Sequence, residues 1–571
     1  MSKRSVTWKV PAALAVAAAL AVGPAMTADA SAAPLPKPKL KLKPDKGDKG
    51  DKVEKVEKVV GDVGSIIDST LWGDDSTGEG KDASKHNDGW DASLDLGSMY
   101  SLEKNNGIQT AWSRGITGNG VTVALVDTGI APVPGLDAGD KVVNGPDLSF
   151  EGQSPTTTYL DGYGHGTHLA GIIAAKDDHF DPKKPDAAMF AGVAPEAKLL
   201  NMKVGAGDGG VDVTQVIAAL NWIVQHRDEQ GMHVRVINLA YGTQSVQPWQ
   251  VDPLAKAVED AWNAGIVVVA AAGNDGTDSP LLMPAIDPHV IAVGAVDHEG
   301  TASEADDQVA EFSNGGTRSR RPDVLAPGKS VVSLRDPGSY IDQMHPEGLV
   351  PGDDDGRFFR GSGTSQATAV VAGEVALLLD AKPNLTPDEV KALLSSSADR
   401  LSQSSDPAQG AGVVDIDAAL DLLNPKVLLG SLSGLLTNTG PTPPDSTGTG
   451  SIEASRGGEH VVDPSTGDPL VGERDAQGNP WNGAAWAAAS ADGDAWAKGG
   501  VWNGSVWTTD KWKDHAVLAA TWTGTSWNGI PWTQHDWSDS SWQSRSWRNN
   551  DWRSRSWREE SFRSRSWRGL S

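Results

Sequence analysis

Residues Val121-Thr-Val-Ala-Leu-Val-Asp127-Thr-Gly129 read as a β-strand that ends on a carboxylate and a turn. Apart from Thr122 the run Val121–Val126 is apolar without alternation, the pattern of a strand covered on both faces. Similar runs recur at Ala197–Val204, Val234–Leu239, Ile266–Ala271 and Val290–Val296. Between and after them, Val213–His226, Pro253–Asn263 and Thr368–Ala381 carry helix-period segments. Buried strands alternating with helices predict an α/β fold: a parallel sheet with helices on both faces, joined by right-handed crossovers. The pattern extends over residues 84–424.

Working outward from Asp127, three further short motifs carry chemistry. Gly164-His165-Gly-Thr-His168-Leu-Ala-Gly171 places a His at a helix start. Gly273-Asn274-Asp-Gly276 follows the apolar run 266–271, and Gly361-Ser-Gly-Thr-Ser365-Gln-Ala-Thr opens a long apolar helix. Nucleophilic acyl transfer needs parts of these kinds. A Ser hydroxyl is a weak nucleophile and needs a His to take its proton. The His needs a carboxylate to fix its tautomer and stabilise the imidazolium. The oxyanion of the tetrahedral intermediate needs preorganised donors, which the Asn274 amide and the Ser365 backbone N–H at a helix N-terminus can supply. The chain order Asp, His, Ser is one on which this geometry has arisen. Taken singly, each residue also has a bland reading as a turn or cap residue. His165 and His168 are not spaced as an H-E-x-x-H zinc motif, and no G-x-S-x-G elbow surrounds Ser365.

Together these blocks resemble the signature motifs of the subtilisin-like serine proteases, the subtilases, over about residues 97–423. The resemblance implies a subtilisin-like fold. It also implies that Asp127 orients the base, His165 is the base, Ser365 is the nucleophile and Asn274 is an oxyanion donor. Val236-Ile-Asn-Leu-Ala240-Tyr241-Gly242 looks like the family's substrate-binding strand. A peptide would lie extended between it and Gly209-Gly210-Val211, gaining affinity from backbone hydrogen bonds. Gln366 and Ala369 stand where many relatives have Met and Pro. Many relatives bind calcium. The acidic loops Asp177–Asp181 and Asp353–Asp355 offer oxygen ligands but no recognisable ligand spacing, so no metal ligand is assigned. The chemistry itself requires no cofactor.

The rest of the chain differs in composition. Its 571 residues include 49 basic and 75 acidic side chains and no Cys. Disulfides and a Cys nucleophile are thereby excluded. The acidic balance argues against nucleic-acid partners. Residues 1–32 read as a signal peptide: Lys3, Arg4 and Lys9, then the apolar run Ala12–Val22, then Ala30-Ser-Ala32. Residues 33–83 read as a low-complexity linker or short pro-segment, 425–450 as a second linker, and 451–571 as a Trp-repeat module of uncertain fold. In that module Trp falls at nearly every fifth position from Trp502 to Trp567, after an offset run at Trp481, Trp486 and Trp496. Period five matches neither helix nor strand. The Trp array has three readings: stacking on cell-wall glycan, contact with anionic polymers, or packing in a core of its own. The sequence therefore predicts a secreted, monomeric serine endopeptidase acting on protein or peptide substrates. The competing expectation is a cell-surface or wall-binding protein whose protease region mainly processes its own ends.

Overall fold

The computed structural model describes residues 89–152, 157–207, 209–301, 303–402, 407–423, 444–458, 460–461, 469–497 and 500–506. The signal-peptide and 33–83 readings, most of the 425–450 linker and the repeats from Trp507 onward lie outside the described residues.

Two short helices lead in, α1 (Met99–Asn105), capped by the Ser98 hydroxyl, and α2 (Ile108–Ser113). The sheet and its helices follow as β1 (Thr122–Asp127), β2 (Val142–Asn144), α3 (His165–Ala174), β3 (Lys198–Lys203), α4 (Val213–His226), β4 (Val234–Leu239), α5 (Pro253–Asn263), β5 (Val267–Ala271) and β6 (Ile291–Asp297). Then come β7 (Gln308–Val309), β8 (Val324–Pro327), β9 (Val331–Leu334), α6 (Tyr340–Met344), β10 (Phe358–Gly361), α7 (Thr364–Ala381), α8 (Pro387–Ser397) and α9 (Ile416–Leu422).

Strand order is β2-β3-β1-β4-β5-β6, all parallel, with β8 parallel and β7 antiparallel on β6. Every residue of β1, β5 and β6 is buried, so both sheet faces are covered, as the unbroken apolar runs require. The chain leaves β1 toward β3 on one side and later returns to β4 on the other. That reversal makes the carboxyl end of β1 a topological switch point, where open α/β sheets form their crevice.

Helix ends follow local chemistry. Asp212 and Gln215 form a capping box on α4, Asp252 caps α5 ahead of Pro253, and Thr386 and Glu389 box α8 behind Pro387. Helix α7 starts at Thr364, four residues before its predicted start. The apolar periodicity begins only further along, because the first turn is small and polar yet buried against the sheet. The remaining turns bury Val370, Val371, Val375, Leu377, Leu378 and Leu379. Each such side chain stabilises the fold by roughly 1.5–3 kcal/mol.

A C-terminal layer covers α4 and α5. It comprises α10 (Ile452–Arg456), α11 (Gly483–Ala491) and a small antiparallel sheet, β11 (Trp496–Ala497), β12 (Val501–Trp502) and β13 (Ser505–Val506). Trp486 and Trp502 are fully buried, and both indole N–H groups donate to Asn221 Oδ1 of α4, at 3.0 and 3.4 Å. Trp496 Nε1 donates to the Ala218 carbonyl at 2.9 Å. Trp481 packs on Trp486 and Trp502 with ring centroids 5.3 and 5.7 Å away. The early Trp run, read from sequence as the start of a separate module, thus packs on the sheet domain's own helices.

Candidate functional site

Two of the chemistry-bearing motifs leave the carboxyl edge of the sheet, and the other two open helices. Asp127 is the last residue of β1, opposite Lys203 at the end of β3. Ala240, Tyr241 and Gly242 follow β4, and Asn274 lies just beyond β5. Gly209 and Gly210 belong to the segment after β3, where Ala206 N donates to the Gly210 carbonyl and Gly209 N to the Ala206 carbonyl. Strands β3 and β4 flank β1, so the two expected substrate-binding segments start on either side of Asp127.

His165 opens α3 and points Nδ1 at both Asp127 carboxylate oxygens, at 2.8 and 3.0 Å. Both side chains are buried. An Nδ1–H held by the carboxylate leaves Nε2 as the ring's basic atom. Thr128 N donates to Asp127 Oδ1 at 2.8 Å and holds the carboxylate from behind. The approach of α3 to the β1 turn depends on Gly166. A Cβ there would lie 2.1 Å from the Gly129 carbonyl oxygen.

Asp161 and Thr128 hold this junction together, and sequence reasoning missed both. Asp161 is fully buried and accepts from Gly164 N and Thr167 N, both at 2.7 Å, and from Thr128 Oγ1 at 2.8 Å. Thr128 Oγ1 in turn accepts Gly166 N at 3.0 Å. Burial raises the Asp161 pKa, while its hydrogen bonds pull it down. The signal was an acid four residues before His165 in Asp161-Gly-Tyr-Gly, ready to take the helix's first amides.

Ser365 lies in the first turn of α7, which β10 delivers to the site and which packs against α3. Gly361, at the end of β10, brings the two helix starts together. A Cβ there would touch Gln366 Nε2 at 2.9 Å and the His168 ring at 3.1 Å. Asn274 is oriented by its carbonyl oxygen, which accepts Thr364 N at 2.8 Å and Thr364 Oγ1 at 3.0 Å. Its Nδ2 then faces away from Thr364. Nδ2 and the Ser365 backbone N lie 3.5 and 3.7 Å from the point a Cβ on Gly363 would occupy, so both donors border one small space. Asn314 fixes the turn beneath: its side chain accepts Asp275 N at 2.6 Å and donates to the Pro280 carbonyl at 2.7 Å. Gly273 there has φ +114°, and a Cβ would collide with Asn314 Nδ2.

His168 is a packed neighbour. Its Nε2 donates to the Phe359 carbonyl at 3.1 Å, and burial first, then the adjacent His165, lowers its pKa to about 4. It is therefore neutral at pH 7. The acidic loops are engaged within the protein: Arg357 grips Asp177 with both guanidinium arms, and Asp353 Oδ2 accepts the Arg357 and Phe358 amides at 2.6 and 2.7 Å. Asp275 is exposed.

The sequence profile of the subtilase family matches residues 118–412, more than half of the chain. The chain belongs to the subtilase family. Serine protease AprX of Bacillus subtilis is 39% identical over 309 residues, covering 53% of this chain and 66% of AprX. Subtilisin BL of Lederbergia lenta is 34% identical, with 54% of this chain and 94% of that protein covered. Minor extracellular protease Epr of Bacillus subtilis is 30% identical across 48% of this chain. The match spans 66% of AprX and 34% of Epr, so this subtilase covers only part of the length of each.

Proposed function

We propose that this subtilase is a secreted serine endopeptidase working through an acyl-enzyme. The observation that carries this reading is the buried pair His165 Nδ1–Asp127, at 2.8 and 3.0 Å, on a helix packed against the one that begins at Ser365. In the first step Ser365 Oγ attacks the scissile carbonyl while His165 Nε2 takes its proton and then passes it to the leaving amine. A water molecule deacylates the enzyme by the same relay. Asp127 holds the imidazole in the Nδ1–H tautomer and stabilises the imidazolium. Asn274 Nδ2 and Ser365 N stabilise the oxyanion. Gly209-Gly210 and Ala240-Tyr241-Gly242 bind the peptide as an added strand. Secretion is supported by the basic, apolar and small-residue order of residues 1–32 and by the name of the relative called an extracellular protease.

Purified protein should hydrolyse a denatured protein substrate and be labelled at Ser365 by a serine-directed phosphonate. Asn274→Ala should lower kcat about 10²–10³-fold, with KM little changed. If the unaltered protein shows neither hydrolysis nor labelling, the enzyme reading fails.

The same reading assigns glycan contact to the late repeats. Stacking on sugars needs open indole faces, and Trp486, Trp502, Trp481 and Trp496 are buried. Deleting residues 507–571 should leave peptide hydrolysis intact and abolish co-sedimentation with cell-wall glycan. Unchanged sedimentation would remove the glycan from the reading.

A further inference from the structure

Glu259 of α5 meets Asp287 and His289 in the loop that enters β6. All three are buried, at 1%, 0% and 7% exposure, and their ligand atoms lie within 4.8 Å of one another. We propose that Glu259, Asp287 and His289 form a binding site for one divalent transition metal, zinc above all, that fastens the C-terminal layer to α5.

The distances favour a metal over a plain ion pair. His289 Nδ1 stands 3.2 Å from Asp287 Oδ1 and 3.4 Å from Glu259 Oε1. A charge-assisted N–H···O bond is shorter, about 2.7–2.9 Å, and one Nδ1–H cannot serve two carboxylates well. Ligands about 2.0–2.2 Å from a tetrahedral zinc stand about 3.3–3.6 Å apart, close to both separations. Glu259 Oε1 and Asp287 Oδ2 are buried oxygens with no hydrogen-bond partner. Two contacts orient the carboxylates: Glu259 Oε2 accepts Ser446 N at 2.6 Å, and Asp287 Oδ1, the oxygen that faces His289 Nδ1, also accepts His289 N at 2.8 Å. His289 Nε2 faces Asp445 Oδ1 at 3.8 Å, while Asp445 Oδ2 is held by Asn263 at 3.0 Å. A carboxylate behind a metal-bound imidazole is the usual outer-shell arrangement. Asp445 is half exposed and opens the site to solvent, which leaves the fourth position to water.

Charge leads to the same conclusion. Two buried carboxylates face one imidazole. The nearby cations Arg320 and Lys391 touch only backbone carbonyls of this loop and pair with Asp323. Zinc takes the place of a proton on His289 Nδ1, so its affinity falls as pH falls. One nitrogen and two carboxylates suit zinc better than calcium, which takes six to eight oxygen ligands.

The test uses the full chain after chelator treatment. Cobalt(II), as a zinc surrogate, should give the intense visible bands of tetrahedral coordination, and zinc should abolish them. Calcium should not. Zinc should also raise the melting temperature. Glu259→Gln and His289→Asn should each lower zinc stoichiometry by one. Asp445→Asn, at an exposed outer position, leaves the fold undisturbed and should weaken zinc about 10–100-fold. Absence of tetrahedral cobalt bands in the unaltered chain, or zinc binding of equal strength and number in all three variants, would overturn the proposal.

Discussion

Ser365→Ala should lower kcat on the order of 10⁶-fold, and adding His165→Ala should cost little more. The reason is that the pair acts as one unit. Without the nucleophile, the imidazole has no proton to take, so its own removal is nearly silent. Asp127→Ala should be milder, on the order of 10⁴-fold, because His165 keeps its place in α3 and loses only its tautomer lock. What survives, about 10³-fold over water, comes from Asn274, the Ser365 amide and the substrate-binding segments. Ser365 is buried and small, so its loss of one oxygen should leave the melting temperature unchanged. The measurement is kcat and KM on one peptide substrate for the singles and the double. A Ser365→Ala enzyme that keeps a tenth of the original rate, at a melting temperature equal to the parent's, would remove Ser365 from the chemistry.

Arg456→Ala should destabilise the protein by about 3–5 kcal/mol. Arg456 and Asp212 are each about 1% exposed, and Arg456 Nε reaches Asp212 Oδ2 at 2.6 Å. The same carboxylate caps α4 by accepting Thr214 N at 3.0 Å. Arg456 Nη1 also donates to the Gly472 carbonyl at 2.8 Å, and Nη2 to that of Arg474. Removing the guanidinium strands a buried carboxylate and two carbonyls. Replacing both partners, Arg456→Met with Asp212→Asn, should cost less than Arg456→Ala alone, since no unpaired charge is left inside. Urea unfolding at constant pH, followed by Trp fluorescence, measures both. A cost below about 1 kcal/mol for the single variant would mean that water reaches Asp212 and that the layer is loosely held.

The sheet was readable because β1, β4, β5 and β6 are buried on both faces, which writes them as unbroken apolar runs. The edges of those runs were read within a residue of the strands. The start of α7 was not, because Thr364, Ser365 and Gln366 are buried for what they contact rather than for being apolar. Asp127, His165, Asn274 and Ser365 stood out because each sits in a Gly-rich motif at an element boundary. Asp161 and Thr128 did not, since Asp-Gly-Tyr-Gly reads locally as a loop. The C-terminal layer escaped for a different reason. Its Trp spacing describes the segment alone, whereas Asn221, which receives two of those indoles, carries no mark of it in the middle of α4.

The hydrogen bonds that join Arg456, Trp486 and Trp502 to α4 skip 244, 265 and 281 residues. A chain made N-terminus first therefore displays Ser365 well before the partners of Asp212 and Asn221 exist. For that interval α4 has an uncovered flank on which Asp212 lacks its guanidinium and Asn221 its indoles. Between completing α7 and closing its body, this subtilase therefore passes a stage at which that flank of α4 is open, until Arg456, Trp486 and Trp502 cover it.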